Sequence, residues 1–218
     1  MTESRIEKKF VFLEGDNSYK YFLITGMFKK IYFERIVNSI YIDNENFKNV
    51  WDNINGFSQR SKYRIRWYND LKNSKAFFEE KNKFNQTTFK NKNEIGPFKN
   101  EEDLMIFLNS DKFQKNFLSK YKYNLKNILK VSYKRSYFID PKKKIRVTLD
   151  QNITINKKYV NNNNVGISLD KNIIELKYNL ADSNYCNELI LNSKLENRNK
   201  KYSKYVQSFV EMNESGLI

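Results

Sequence analysis

The sequence predicts an α+β protein whose core is a closed antiparallel β-barrel of about eight strands, with a polar, basic lumen and a cladding of α-helices. Three observations predict this fold class. Extended segments alternate charged and hydrophobic residues, the alternation recurs in at least six segments, and helix-like segments stand between pairs of strands. A barrel suits such strands, because the hydrophobic face packs under helices while the charged face lines the interior.

The segment SKYRIRWYN shows the alternation most clearly. Arg64 and Arg66 lie two residues apart and share one face of a strand, while Tyr63, Ile65 and Trp67 share the other. The same spacing gives further polar faces at Arg5, Glu7 and Lys9; at Glu79, Lys81 and Lys83; at Tyr133, Arg135 and Tyr137; at Arg146, Thr148 and Asp150; and at Glu175 and Lys177. Both charge signs mix along these faces, which indicates a polar lumen that holds a multiply anionic ligand.

Alternation of this kind also predicts where the strands begin and end. They are predicted at 5–13, 37–43, 61–69, 75–84, 86–92, 130–139, 143–157 and 165–179. A hairpin turn is expected at the asparagine run Asn161–Asn164, which separates the last two strands.

Helix start signals and four-residue spacing set the helices. Asp16 or Ser18 caps a predicted helix over 18–33, and Asn100, followed by Glu101 and Glu102, opens another. The remaining helices are predicted at 45–54, around Phe117, Tyr121 and Leu125, at 182–196 and at 203–212.

The length and composition favour a single globular domain over residues 1–218. No apolar run approaches the roughly 20 residues that span a bilayer, and the N-terminus lacks the apolar segment of a signal peptide. A cytoplasmic location is therefore expected. The lone Cys186 excludes an internal disulfide bond and is interpreted as a buried or incidental thiol.

The formal net charge of +15 points to an anionic partner, although Lys-rich and Asn-rich runs inflate the lysine count. Arginine is the more informative residue. Five of the eight arginines lie on the charged strand faces: Arg5, Arg64, Arg66, Arg135 and Arg146. Since a guanidinium offers a rigid fork that matches phosphate oxygens in pairs, these positions indicate a phosphate ligand.

Absent residue types exclude several chemistries. Without histidine, catalytic triads, histidine bases and histidine-ligated metals are impossible, and one cysteine cannot build a thiolate zinc site. Any bound metal must therefore take hard oxygen ligands. The six scattered glycines form neither a Walker A loop nor a dinucleotide fingerprint, so side chains must hold any phosphates.

Eight motifs follow one another in a family-specific order. They are Arg5-Ile-Glu7-Lys-Lys9, Ser39-Ile-Tyr41-Ile-Asp43, Tyr63-Arg64-Ile-Arg66-Trp-Tyr68, Phe78-Glu79-Glu-Lys81, Tyr133-Lys-Arg135, Ile145-Arg146-Val-Thr148-Leu-Asp150, Glu175-Leu-Lys177 and Lys201-Tyr-Ser203-Lys204-Tyr205. In this order the chain resembles the VTC-type polyphosphate polymerase domain of the triphosphate tunnel metalloenzyme (CYTH-like) superfamily. The resemblance runs from Arg5 to about Phe209.

The resemblance implies an eight-stranded triphosphate tunnel and transfer of the ATP γ-phosphoryl group onto inorganic polyphosphate. By correspondence, the catalytic residues are Arg64, Arg66, Lys81, Arg135, Arg146 and Lys204, and the substrate-binding residues are Arg5, Lys9, Lys90, Tyr133 and Lys201, with Lys201 one helical turn before Lys204. Glu175 is the implied ligand of a divalent metal, Mn²⁺ or Mg²⁺. For Glu7 and Glu79 metal binding stays open, but internal salt bridges are favoured. The implied partners are ATP and polyphosphate, with no specific nucleic acid; a membrane partner protein and the oligomeric state stay open.

Two other functions stay open at this point. Hydrolytic relatives typically begin with Glu-x-Glu-x-Lys, whereas here Arg5 stands at the first acidic position. Loss of that carboxylate disfavours water activation, and its replacement by a cation favours a polyanionic acceptor, so polymerase ranks above triphosphatase. A non-catalytic module that binds polyphosphate or nucleic acid also fits the charge, but Glu175 argues against it, because anion binding alone needs no metal-binding acid.

Overall fold

The structure is a computed structural model that describes residues 5–85, 87–121, 124–157, 166–193, 195 and 201–216. These residues form nine strands: β1 (Arg5–Leu13), β2 (Lys29–Asp43), β3 (Gln59–Tyr68), β4 (Ala76–Phe84), β5 (Thr87–Gly96), β6 (Lys126–Ile139), β7 (Arg146–Lys157), β8 (Gly166–Leu169) and β9 (Lys171–Asn179). Six α-helices accompany them: α1 (Ser18–Thr25), α2 (Lys48–Ile54), α3 (Glu101–Leu108), α4 (Asp111–Phe113), α5 (Ser183–Asn192) and α6 (Lys204–Glu214).

The strands form one sheet in the order β1-β9-β7-β6-β2-β3-β4-β5, with β8 beside β7. The ladders β1–β9, β2–β3, β3–β4, β4–β5 and β7–β9 are antiparallel. The order is linear, with β1 and β5 at its ends. The predicted α+β class, with an antiparallel sheet and helices, is confirmed.

The described chain divides into two compact units. The first contains the described residues of Met1–Ile36, Tyr133–Ile153 and Ser168–Ser203, and the second contains those of Val37–Ser132, Thr154–Ile167 and Lys204–Ile218. No helix among the described residues is long and apolar enough to cross a membrane.

The core of the first unit packs α1 and α5 against one face of β1, β7 and β9. It contains Phe10, Phe12, Tyr19, Phe22, Ile145, Val147, Leu149, Ile174, Leu176, Tyr178, Cys186 and Ile190. The residues from each strand alternate, so one face of the strand is buried under helices and the other carries the polar residues. Cys186 lies in this core, as its interpretation as a buried thiol requires.

The core of the second unit packs α3, α4 and the following π-helix (Gln114–Leu118) against one face of β2, β3 and β4. It contains Ile40, Ile42, Tyr63, Ile65, Trp67, Phe78, Leu104, Leu108, Phe113 and Leu118. Tyr63, Ile65 and Trp67 thus face this core, as the alternation of SKYRIRWYN predicts. Arg64 and Arg66 belong to the opposite face of β3.

The predicted helix over 18–33 is wrong in its second half. α1 ends at Thr25, Gly26 donates its backbone N–H to the Phe22 carbonyl, and Met27 takes a left-handed φ of 50°. The chain then enters β2 at Lys29. Phe28 still packs on Phe22, with ring centroids 4.9 Å apart, so the sequence supports the contact without the continuous helix.

The helix predicted around Phe117, Tyr121 and Leu125 is also shorter than expected. It ends with the π-helix at Leu118, and β6 begins at Lys126. The aromatic rings explain the four-residue spacing, because Tyr121 packs on Tyr63 at 4.6 Å and Phe117 packs on Phe78 at 5.8 Å. The strand predicted over 165–179 forms two strands, β8 and β9, and the expected turn at Asn161–Asn164 lies outside the described residues.

Asp43, at the end of β2, holds α2 and α6 in the second unit. Its buried carboxylate accepts backbone N–H groups from Asn44, Asn49 and Val50 at 2.8–3.3 Å and the Tyr205 hydroxyl at 2.9 Å. Burial raises the pKa of Asp43, and these hydrogen bonds oppose the rise. The carboxylate therefore caps α2 and fixes the first turn of α6.

We expect Asp43→Ala to lower the free energy of unfolding by about 3 kcal/mol, because several buried donors lose their acceptor at once. Asp43→Asn should cost less, since an amide oxygen still accepts. Urea unfolding of the two variants measures the difference. Equal, small losses in both would show that the carboxylate does not hold the two helices.

Candidate functional site

Most of the predicted site residues lie on the strand faces opposite the two hydrophobic cores. They form two groups, one in each unit. The Glu79 cluster, in the second unit, comprises Arg64, Arg66, Glu79, Lys81 and Lys90. The Glu175 cluster, in the first unit, comprises Glu7, Lys9, Arg135, Glu175 and Lys177.

Glu79 is the centre of its cluster, and its side chain is 3% exposed. Arg64, directly opposite it in the β3–β4 register, donates from Nε at 2.8 Å and from Nη2 at 2.5 Å to the same carboxylate oxygen, Oε2. Lys90 Nζ lies 3.4 Å from the other oxygen. Arg66 is buried, and its Nε donates to Ser39 Oγ at 3.0 Å. The salt bridge favoured for Glu79 is therefore present.

Three lysines stand side by side next to this ion pair. Lys81 on β4 is directly opposite Lys62 on β3 and Lys90 on β5. Like charges placed directly across a ladder destabilise a sheet. Partial burial lowers the pKa of Lys90. The Glu79 carboxylate raises that pKa, whereas the positive charges of Arg64 and Arg66 lower it, and the net shift is downward. The row thus concentrates positive charge beside the Glu79 ion pair.

The Glu79 ion pairs make a prediction about acid stability. Burial raises the pKa of Glu79, but Arg64, Arg66 and Lys90 outweigh it and hold the pKa at about 2 instead of 4.5. The ionised carboxylate therefore favours folding above pH 4.5, and this contribution is lost as the pH falls towards 2. Over that interval we expect the wild type to lose about 3 kcal/mol more than Glu79→Gln.

Urea unfolding at stepped pH measures this difference. Glu188→Gln, on the exposed side of α5, is the control and should follow the wild-type curve. Parallel curves for wild type and Glu79→Gln would contradict the ion-pair assignment.

Glu175 is the centre of the other cluster and is nearly buried. Its Oε1 lies 2.8 Å from Lys177 Nζ, and its Oε2 lies 3.9 Å from Lys9 Nζ. Lys177 Nζ also lies 3.3 Å from Glu7 Oε1, so the salt bridge favoured for Glu7 is present too. Burial raises the pKa of Glu175, but Lys177, Lys9 and Arg135 outweigh it and hold the pKa well below its usual range.

Arg135 is fixed by a forked ion pair. Its Nε and Nη2 donate to the two oxygens of Asp150 at 2.5 and 2.7 Å. Its guanidinium lies 5.2 Å from the ring centroid of Tyr133. Burial lowers the pKa of Arg135, but the Asp150 carboxylate outweighs burial and holds that pKa well above its usual value. The guanidinium therefore stays charged. Asp150 thus pairs with a cation and does not act as a free acid.

The other predicted residues take separate positions. Arg146 is exposed on β7, directly opposite Lys177. Lys204 is the first residue of α6, whose Tyr205 stacks on Tyr41 at 4.8 Å. Lys201 lies before the first residue of α6, so it is not on the helical turn that the sequence predicted before Lys204. Lys9 Nζ donates to the backbone carbonyl of Tyr202, the residue after Lys201, at 3.0 Å. Arg5 is opposite Asn179 in the β1–β9 register, and its side chain lies outside the described part of the chain.

The oxygen atoms around Glu175 fit a divalent metal that is bound partly by the protein and partly by phosphate oxygens of a substrate. Thr148 is directly opposite Glu175, and its buried Oγ1 has no hydrogen-bond partner among the described residues. Lys9 is the β1 residue directly opposite Glu175, and Glu7 lies two residues before Lys9 on the same strand face. The candidate metal ligands Glu175, Glu7 and Thr148 therefore all offer hard oxygen atoms. No group of three or more acidic, Cys or His residues suited to a metal occurs within the described chain. Mg²⁺ commonly takes one or two carboxylates and completes its shell with water and substrate phosphates.

Residues in or beside these clusters that were not assigned to the site from the sequence include Ser39, Asp150 and Lys177. Alternation alone could have included Lys177 and Asp150, because they share strand faces with Glu175 and Arg146. No sequence signal identifies Ser39 as the partner of Arg66, since that contact depends on the β2–β3 register.

Comparison with known proteins supports one family and one fold. The profile of the family described as the VTC domain matches residues 3–213. The PH1819 protein from Pyrococcus horikoshii OT3 is similar in structure, with a TM-score of 0.55 and 16% identity over 96% of this chain and 99% of its own. A candidate adenylate cyclase from Bacillus halodurans has a TM-score of 0.57 and 16% identity over 95% of this chain and 97% of its own.

A candidate adenylyl cyclase from Hippeastrum, for which a dominant triphosphatase activity is described, has a TM-score of 0.53 and 12% identity over 99% of this chain and 97% of its own. At such identities the likeness shows the fold alone. No curated protein sequence matches the chain.

Proposed function

The chain belongs to the VTC domain family, and from this premise we propose that it is a divalent-metal-dependent polyphosphate polymerase. In the proposed reaction a terminal oxygen of the polyphosphate chain attacks the γ-phosphorus of ATP. The bond from that phosphorus to the β–γ bridging oxygen breaks, ADP leaves, and the chain gains one phosphate. Phosphoryl transfer of this kind depends on positioning and charge stabilisation rather than on a protein nucleophile.

The row of Lys62, Lys81 and Lys90 is the observation that carries the proposal. These three lysines are directly opposite one another across adjacent strands, which concentrates positive charge along one line of the sheet. A ligand with several closely spaced negative charges would match such a row of cations. Polyphosphate and the triphosphate of ATP have such spacing along one chain.

The arginines supply the directional contacts. Glu79 holds Arg64 through two N–H groups, and Ser39 holds Arg66 through Nε. Guanidinium groups fixed in this way need little reorganisation to donate to a phosphoryl group as its charge redistributes. Arg135, fixed by Asp150, offers the same chemistry in the first unit.

The Glu175 cluster supplies the metal-binding acid. Glu175 would bind the metal, with Glu7 and Thr148 as the other oxygens within its cluster. A bound divalent ion would neutralise phosphate charge and orient the phosphoryl group. Lys9 and Lys177 keep Glu175 ionised, which is the form that binds a cation.

Incubation of the purified protein with ATP and Mg²⁺ or Mn²⁺ tests the function. We expect ladders of polyphosphate on a gel, with ADP as the co-product. Free phosphate without ladders would replace the proposal with triphosphate hydrolysis, the activity described for the Hippeastrum protein. Binding without turnover would leave a polyphosphate-binding module.

A further inference from the structure

Lys177 lies between the two carboxylates of its cluster. Its Nζ is 2.8 Å from Glu175 Oε1 and 3.3 Å from Glu7 Oε1, so these two oxygens are at most 6.1 Å apart. Both contacts follow from the sheet. Glu7 is directly opposite Lys177 across the β1–β9 ladder, and Glu175 is two residues earlier on the same face of β9.

The surrounding charges keep the ammonium in this position. Arg146 is directly opposite Lys177 on its other side, across the β7–β9 ladder, and a like charge there favours the lysine turning away from β7. Lys9 approaches the second oxygen of Glu175, at 3.9 Å. The Lys177 ammonium therefore contacts both carboxylates at once.

A divalent cation would use the same oxygens. Two ligand oxygens of one Mg²⁺ or Mn²⁺ ion lie no more than about 4 Å apart, because each metal–oxygen bond is about 2 Å. From a separation of at most 6.1 Å, side-chain rotations of Glu7 and Glu175 would have to bring the two oxygens closer by up to about 2 Å. An ammonium and a divalent ion cannot both occupy the space, since they repel strongly at such a short distance.

We propose that the Lys177 ammonium occupies the place of the metal in its absence, so that the metal binds tightly only together with a phosphate chain. The inference rests on the proposed function and adds the form in which the metal is taken up. Phosphate oxygens offer Lys177 a new anionic partner and offer the metal its remaining ligands. The flexible four-carbon stem of lysine allows the move, and the side chain is one-third exposed, at 34%.

The consequence is a coupling between two ligands. If the phosphate chain draws Lys177 away from Glu7 and Glu175, it strengthens metal binding, and the metal strengthens phosphate binding by the same factor. Lys177 is thus a positioning residue that weakens metal binding in the absence of substrate.

Titration with Mn²⁺ alone, followed by electron paramagnetic resonance without nucleotide, tests the inference. We expect Lys177→Met to bind Mn²⁺ at least roughly tenfold more tightly than wild type, because the competing charge is gone. Lys177→Arg should bind like wild type. Lys8→Met is the matched control: Lys8 is on β1, next to Glu7 in sequence, but its Nζ donates to Asn187 at 2.8 Å, so its loss should change Mn²⁺ affinity little.

The double variant Glu7→Gln/Lys177→Met should lose the gain, which would locate it between the two carboxylates. An unchanged affinity in Lys177→Met, or an equal gain in Lys8→Met, would overturn the inference. Should Lys177→Met not fold, the wild type decides: Mn²⁺ binding at Glu175, shown by its loss in Glu175→Gln, that is as tight without triphosphate as with it would also overturn the inference. Formation of polyphosphate ladders by the wild type is measured separately. If Lys177→Met gains Mn²⁺ affinity but the wild type makes no ladders, the proposed function is refuted and the inference about Lys177 stands.

Discussion

Arg64→Ala and Arg66→Ala should each reduce kcat/KM for chain elongation by at least roughly a hundredfold, the usual effect of losing a fixed donor to a charged transition state. Arg64 presents a guanidinium whose Nε and Nη2 donate to the Glu79 carboxylate, and Arg66 presents one whose Nε donates to Ser39 Oγ. Truncation removes both the donors and their orientation. Gel analysis of the products at several ATP concentrations measures the loss.

The fold should survive both substitutions, because the hydrophobic core of the second unit lies on the other face of β3. Arg60→Ala is the matched control. It removes a guanidinium from the same strand, but that group donates to the Phe57 carbonyl at 2.9 Å and belongs to neither cluster. We expect the control to elongate chains at close to the wild-type rate. Near-wild-type activity in either Arg64→Ala or Arg66→Ala would remove the Glu79 cluster from the proposed site.

Charge alternation predicted the strands that carry the site. β1 begins and ends where the sequence places it, at Arg5 and Leu13, with Glu7 and Lys9 on one face and Phe10 and Phe12 on the other. Residues 29–33 were predicted as helix because KKIYF follows α1 and suits either period. The turn at Gly26 and Met27 decides the outcome, and its left-handed backbone at Met27 has no signature in the sequence beyond the glycine.

The partners of the site residues could not be predicted in the same way. Alternation assigns Arg64 to a face, but only the β3–β4 register puts Glu79 opposite it. Lys177 shows the point more strongly, since Glu7 comes from the other end of the chain. Sequence patterns therefore identified charged faces, while the pairing of charges within them depends on how distant strands align.

Glu175→Gln should abolish chain elongation while polyphosphate binding without metal persists or tightens. Glutamine keeps the shape but loses the negative charge that a hard divalent ion needs, so we expect elongation to fall by at least roughly a hundredfold. Metal-free binding responds in the opposite direction. Lys177 and Lys9 lose their shared anion and become available to phosphate oxygens.

Two measurements on the same variant separate these effects: ladder formation with Mg²⁺ or Mn²⁺, and polyphosphate binding in the presence of a chelator. Glu188→Gln, which removes an exposed carboxylate from α5, should change neither. A variant that loses both activities together has lost its structure, which a thermal melt would reveal. If elongation survives with unchanged metal dependence, the principal metal-binding acid is another carboxylate. Glu7 is the first candidate to test, because it pairs with the same Lys177 ammonium as Glu175.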